Sequence, residues 1–277
     1  MKEGATKVYS WASPGEMTIR SKHGATFKKL DDSSFLSEGN NQGSDTYTLK
    51  TVVHSATGFR LEVLPDDQLP QKGPGRAENG NFVLTTVTVE SRPAGTDDDF
   101  QQINISRVAA DFSQKEWDIS KAINDNPDDG WAVSPEIGKR HVALFQFASK
   151  LSSEGGVDLR IQLVQKYDPQ RSHNIGRLRV TTTDFEGELE LEGTPEPIVA
   201  ALAVPAAGRI DSQQQTLLEY FKKRDAPYLQ LQKSEREHKS QAPPLPPTKA
   251  QSIVEVATAR EAHIHVRGNF LSKGDAV

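Results

Sequence analysis

The sequence predicts a mainly β fold, an antiparallel β-sandwich or jelly roll, with a C-terminal helical hairpin extension. Three observations predict it. Apolar and polar residues alternate over several short stretches, clusters of Gly, Pro, Asn and Asp separate those stretches, and helical spacing takes over after about residue 195. A parallel α/β sheet would need regular crossover helices, which the pattern does not supply.

The strand series is expected to include residues 45–54. Phe59, Leu61 and Val63 then alternate with Arg60 and Glu62, and Val83, Val87 and Val89 share a face with Thr85. Residues 139–148 and 173–183 also read as strands. The cleanest alternation sets Val157, Leu159, Ile161 and Leu163 against Asp158, Arg160 and Gln162. Successive side chains of a strand point to opposite faces, so each stretch offers one face to a core. Gly73-Pro74-Gly75, Glu78-Asn79-Gly80-Asn81 and Asn126-Pro127-Asp128-Asp129-Gly130 supply turns between them. A short helix is expected near 118–125, starting at Trp117 or Asp118.

Beyond the strands, Pro197 to Leu202 reads as a short helix. A longer one begins at Asp211, with Leu217, Leu218 and Phe221 forming an apolar stripe. Proline suits a first helical turn but not a helix interior, so Pro227 implies two helices meeting near Asp225, the second ending about Ser240. Pro243-Pro244-Leu245-Pro246-Pro247 reads as a stiff extended connector. A last strand, Ile253 to Val256 or Ile264 to Val266, is expected to pack back on the body. The expected divisions are a sandwich over 1–195, a helical extension over 196–242, and a proline-rich spacer with terminal strand over 243–277. No internal repeat is visible.

Of the 277 residues, 35% are hydrophobic and 26% charged, and the mean hydropathy is -0.60. Much of the chain is therefore expected in solvated loops and two-faced strands. No apolar run approaches the roughly 20 residues of a membrane span, so no membrane insertion is expected. Met1 directly before ordinary domain sequence, with no apolar leader, reads as a piece excised from a longer chain. The absence of cysteine excludes disulfides, thiolate metal sites and a cysteine nucleophile. A net charge of -5, with no concentrated basic run, argues against a nucleic-acid partner.

Few motifs carry chemistry. Glu188-Leu189-Glu190-Leu191-Glu192 is similar to the acidic signature of retaining glucanases of the concanavalin-like fold. On a regular strand its neighbouring carboxylates stand about 7 Å apart and the outer pair about 13 Å, whereas retaining chemistry wants about 5–5.5 Å. The glucanase pattern also has an aspartate where Glu190 stands, so a solvated strand face is the favoured reading. His263 and His265 could share a face with Arg267, but a zinc or copper site needs further ligands, and only Glu261 is near. Asp31, Asp32 and Asp45 are the candidate ligands of a structural calcium, although the spacing of a defined calcium loop is missing. Asp97-Asp98-Asp99 reads as a loop tip. Nucleophile elbows, phosphate loops and dinucleotide fingerprints are absent.

Longer strings carry a family resemblance. They are Gly58-Phe59-Arg60-Leu61-Glu62-Val63-Leu64-Pro65-Asp66, Gly73-Pro74-Gly75-Arg76-Ala77, Asn79-Gly80-Asn81-Phe82-Val83-Leu84 and His173-Asn174-Ile175-Gly176-Arg177-Leu178-Arg179. With Asp111-Phe112-Ser113-Gln114, Gly130-Trp131, His141 and Arg260 to Phe270, the chain resembles the region between the two large conserved domains of planctomycete cytochrome-c-type surface proteins. The resemblance implies a galactose-binding-like or concanavalin-like jelly roll, flanking domains in a larger parent protein, and export to the periplasm or cell surface. It also marks Arg60, Asp66, Arg76, Asn81, Trp131, His141, His173 and Arg177 as recurrent residues. The family's haem-attachment string has no counterpart in this cysteine-free chain.

The expected function is non-catalytic polysaccharide binding. A ring covers the apolar face of a pyranose while amide, imidazole and guanidinium groups bond its hydroxyls. Trp131 is the expected stacking residue, with Asn81, His141, His173 and Arg177 as hydrogen-bonding residues. The alternatives are a structural spacer docking flanking domains through the helical extension, and a glycoside hydrolase using Glu188, Glu190 or Glu192.

Overall fold

The alternating stretches become strands of one antiparallel sheet. In the computed structural model, residues 9–41, 43–124, 126–223, 225–241, 261–268 and 271–277 are described. In chain order the strands are β1 (Met17–Ser21), β2 (Ala25–Lys29), β3 (Phe35–Gly39), β4 (Asp45–Val63), β5 (Thr86–Pro93), β6 (Gln101–Gln102), β7 (Ile105–Ala110), β8 (His141–Gln165) and β9 (Arg177–Thr183). These form a nine-stranded sheet of order β2-β3-β9-β4-β8-β5-β6, with β1 added on β4 and β7 on β8.

Strands β4 and β8 organise the rest. They pair from Asp45↔Gln165 to Val63↔His141, with register shifts between Val53 and Ser55 and between Ala56 and Gly58. Bulges bend a strand without ending its ladder. The readings of 45–54 and 59–63 as separate strands, and of 139–148 and 157–163 as separate strands, are therefore corrected to two continuous strands. The first half of β4 takes β1 as a neighbour and the second half takes β9. Likewise β8 takes β7 on its first half and β5 on its second.

The first half of β4 keeps the predicted alternation, with Tyr47, Leu49 and Val53 buried and Lys50 and Val52 exposed. From Ala56 to Val63 every residue is buried. The inner face there carries Phe59 and Leu61, and Phe59 stacks on Phe145 of β8 at 4.6 Å between ring centres. The outer face is covered by a strap, the irregular segment 184–194, together with Tyr9 and Trp11. Tyr9 stacks on Phe185 at 4.4 Å, and Trp11 Nε1 donates to Glu190 O at 3.0 Å. Gly58 permits the close approach: a Cβ there would lie 2.6 Å from both Leu189 Cδ1 and Phe145 O.

Other boundaries shift for identifiable reasons. The strand expected at 173–183 begins only at Arg177, because His173 to Gly176 bond instead to the 74–83 loop. The one expected around Val83 begins at Thr86, because Leu84 exchanges both backbone bonds with Trp131. Residues 188–192 form no strand. The helix near 118–125 is a 3-10 turn over Ile119–Ile123, and the Asp118 carboxylate caps it by accepting from Ser120 N.

Residues Met1–Leu218 and Glu219–Val277 form two separate compact units. Helix α1 (Glu196–Ala203) lies in the first and buries Ile198 and Ala201. Helix α2 (Asp211–Lys222) spans the division. The second unit holds α3 (Ala226–Ser240) and a two-stranded sheet of β10 (His263–His265) and β11 (Lys273–Ala276). Asp225 caps α3 by accepting from Tyr228 N at 2.8 Å, and Pro227 sits in the first turn as its chemistry favours. The proline-rich connector and the alternative last strand at Ile253 to Val256 lie outside the described residues. No described helix is long and apolar enough to cross a membrane.

Phe59→Ala is expected to cost about 3–5 kcal/mol, the usual penalty for emptying a buried aromatic site. Val52→Ala at an exposed position should stay within about 0.5 kcal/mol of the parent. Denaturant titrations of the two variants test the assignment of the core.

Candidate functional site

At one end of the sheet, the loops after β4, β7 and β8 are knitted together by backbone bonds. Arg76 N donates to Asn174 O at 2.7 Å, Val83 N to His173 O at 3.0 Å, and Gln114 N to Ala132 O at 2.8 Å. Gly75 is required where the loop after β4 folds back on itself, since a Cβ would fall 1.9 Å from Asn81 O. Beneath them Phe82 and Trp131 pack edge to face at 5.1 Å, both fully buried.

These loops enclose a polar cleft of about 140 Å³ whose lining includes Asn79, Asn81, Gln114, Trp117, Tyr167, Arg171 and His173. It adjoins a wider opening of about 540 Å³ that shares Asn79, Arg171 and His173 and adds Asn41, Arg76 and Glu78. Trp117 and Tyr167 are half-buried and meet edge to face at 4.7 Å. Tyr167 also contacts the His173 ring edge to face at 5.5 Å. Asn81 Nδ2 donates to Gln114 Oε1 at 3.1 Å, and Asn81 Oδ1 accepts from Val133 N at 3.1 Å. His173 is buried, and its Nδ1 has no hydrogen-bond partner among the described residues. Burial lowers its pKa, so the imidazole is neutral and offers one donor and one acceptor.

Of the five expected ligand-binding residues, the structure brings Asn81 and His173 together on this cleft. Trp131 is corrected: its ring is fully buried and its Nε1 donates to Phe112 O at 3.0 Å, leaving no face for a sugar. His141 is also buried, with Nδ1 3.2 Å from Asp111 Oδ2 and Nε2 2.8 Å from Glu136 O. Arg177 is committed to Asp32 at 2.9 Å and Asp66 at 3.1 Å. Trp117, Tyr167 and Gln114 were missed. Tyr167 had a signal in the sequence, the turn pair Asp168-Pro169 that follows it, whereas the turn beside Trp117 shows only in the structure, where Glu116 has φ +70°.

The calcium reading is corrected as well. The Asp45 carboxylate accepts from Ser21 Oγ and from the backbone N–H of Lys22, His23 and Thr46. Asp32 pairs with Arg177 and Arg179 and accepts from Ser34. Asp31, Asp32 and Asp45 do not converge, and among the described residues no group of three His, Cys, Asp or Glu side chains could hold a metal ion. His263 Nδ1 lies 3.2 Å from Gly274 O, within the β10–β11 pair.

A second polar centre lies under the strap. Glu62 is fully buried and stands opposite Arg179 in the ladder. Arg179 Nε and Nη2 donate to its two oxygens at 2.6 and 2.9 Å, and Arg140 Nε donates at 2.7 Å. Arg60 approaches at 3.4 Å and is itself 5.6 Å from the Trp11 ring centre. Glu192 bridges Arg60 and Arg140 from the strap, and Glu188 pairs with Arg107. Burial pushes the Glu62 carboxyl up, but the bonds from Arg179 and Arg140 and the charge of Arg60 outweigh it and hold the carboxyl below its ordinary 4.5. At His141, burial is the largest single influence and pulls the imidazole pKa down, but the Asp111 carboxylate and the contacts with Glu136 together outweigh it, so it lies above the ordinary 6.5.

No family model, curated protein or solved structure matches the chain. The site therefore rests on its own geometry.

Glu62→Ala is expected to cost about 3–5 kcal/mol, because it removes a fully buried carboxylate from the buried Arg60 and the half-buried Arg179 and leaves their guanidiniums short of a partner. Denaturant unfolding reads it directly. The same two centres set opposite pH limits. Ionised Glu62 contributes stability that is complete above about 4.5 and is lost as pH falls through its depressed folded value. Protonated His141 contributes stability that is complete below about 6.5 and is lost as pH rises through its raised folded value. Unfolding free energy measured against pH should therefore peak between these limits, and His141→Asn should remove the alkaline slope only.

Proposed function

We propose that this chain is a non-catalytic polysaccharide-binding module of a larger exported protein, holding sugar in the cleft at Trp117 and Tyr167. One observation carries the reading. Two half-buried rings stand together amid Asn81, Gln114, Arg171 and His173, the combination of apolar face and hydrogen-bonding groups that a pyranose requires. In this reading the bent β4–β8 ribbon folds the sheet into the two layers of a jelly roll, since strands that bend at bulges make the corners between layers. The resemblance to the planctomycete surface proteins supports the export and the flanking domains.

The hydrolase alternative draws no support from the strap, where Glu188 and Glu192 are engaged with arginines. The docking alternative has one observation in its favour: Leu229 and Leu231 of α3 are exposed. It predicts self-association that disappears on truncation at about residue 208.

Affinity gels containing neutral polysaccharides test the cleft. Retardation of the parent by at least one polysaccharide is expected. Trp117→Ala should weaken it at least tenfold, about 1.4 kcal/mol. Trp131→Phe should leave it intact while lowering stability. Absence of retardation across the panel, or retardation indifferent to Trp117, overturns the proposal.

A further inference from the structure

Strand parity places a concentration of positive charge on the outer face of the sheet, on residues that line no part of the cleft. Tyr47, Leu49, Ile161 and Leu163 are buried in the core. Their neighbours Thr46, Thr48 and Lys50 on β4 and Gln162 and Val164 on β8 therefore face outward. Arg20 of β1 pairs with Thr48, and Lys22 N continues the ladder by donating to Thr46 O at 3.0 Å. Two residues apart, Arg20 and Lys22 share that outer face. With Lys166 beyond β8, these residues line a depression of about 520 Å³.

Four cations, Arg20, Lys22, Lys50 and Lys166, line it, and no carboxylate or aromatic ring does. Among the described residues none of the four is ion-paired. The next charges on the same face are already neutralised, Arg160 by Glu90 at 2.6 Å and Arg92 by Asp158 at 2.9 Å. Asp45 is buried and spent on Ser21 and on backbone N–H groups. A chain of net charge -5 thus carries four uncompensated cations on one patch of sheet. Their mutual repulsion is relieved by an anion, and the strand lattice spaces positions about 4.8 Å across and about 7 Å along, which suits a polymer of repeating charge.

We propose that this face binds an anionic polysaccharide, a chain bearing sulfate or carboxylate groups, at a site separate from the aromatic cleft. Hydroxyl and amide groups of Thr46, Thr48 and Gln162 stand among the cations, where they can bond sugar hydroxyls. A nucleic acid fits less well. No ring is present for bases to stack on, and the patch is a sheet face rather than a helix or ribbon that enters a groove. The proposal does not depend on the cleft holding sugar.

Full-length chain is run in affinity gels containing dextran sulfate or uncharged dextran, with binding to a thymidine oligonucleotide measured alongside. Retardation by dextran sulfate alone is expected, with affinity falling about 50-fold between about 50 and 200 mM salt, as four neutralised charges imply. K50E/K166E should lower the affinity at least tenfold at unchanged Tm, and K22Q/K166Q serves if the first variant does not fold. K28E/K29E on β2, outside the patch, and W117A in the cleft should leave dextran sulfate binding as it was. No retardation at low salt, an equal loss in K28E/K29E, no loss in either patch variant, or tighter binding of the oligonucleotide overturns the proposal.

Discussion

A single buried carboxylate, Glu62, gathers the guanidinium groups of Arg179, Arg140 and Arg60 on the outer side of the central strand. An isolated buried carboxylate would be prohibitive, and the buried Arg60 guanidinium without a nearby carboxylate equally so, while Arg179 is half-buried and Arg140 closes the cluster from the exposed side. Each therefore obliges the presence of the other. Glu192 extends the network outward and ties the strap to the sheet. Arg179 also reaches Asp32, and Arg177 joins Asp32 to Asp66, so the same charges lock the β2–β3 edge against the end of β4. This arrangement explains why the second half of β4 is buried on both faces although its sequence alternates apolar with charged residues.

The strap and the aromatic core act on opposite sides of that strand. Phe59 and Phe145 stack inward, while Leu189 and Trp11 close the outer side over Arg60 and Glu62. With both faces of the second half of β4 covered, the β4–β8 ribbon becomes the stiff axis on which the loops are mounted. The loops after β4, β7 and β8 are held at one end by backbone bonds and by the buried Trp131, and they position Trp117, Tyr167, Asn81 and His173. Side chains held on loops over a rigid scaffold are already ordered, which is what the proposed sugar site would require.

Much of the strand content was legible, because alternation is a local property of the chain. Tyr47, Leu49, Ile161 and Leu163 take the buried parity their spacing demands. Where alternation continued through Ser55 to Gly58 or through Gly155 and Gly156, small residues read as interruptions, yet bulges carried the ladder across them. The helix boundary at Asp225 and Pro227 was equally local, since capping and proline chemistry act within one turn. The candidate site was half legible. Asn81 and His173 line the cleft, whereas Trp131, which follows the turn residues Asp129 and Gly130, is core. Whether a loop tryptophan faces inward or outward depends on which distant strand it meets. For Trp131 that partner is Leu84, 47 positions earlier in the chain.

The amino-acid sequence by itself determined the strand stretches within β4, β5, β8 and β9, how helix α3 is capped, and that a core of Val, Leu, Ile and Phe would fill one face. Tertiary structure decided which charges meet. Glu62 is separated from Arg140 and Arg179 by 78 and 117 positions, and Arg20, Lys22, Lys50 and Lys166 never form a run in the sequence. Only strand register brings the first group into a buried ion cluster and the second onto one open face. The physical reason is that alternation is set residue by residue, whereas electrostatic grouping depends on long-range pairing that no local pattern encodes.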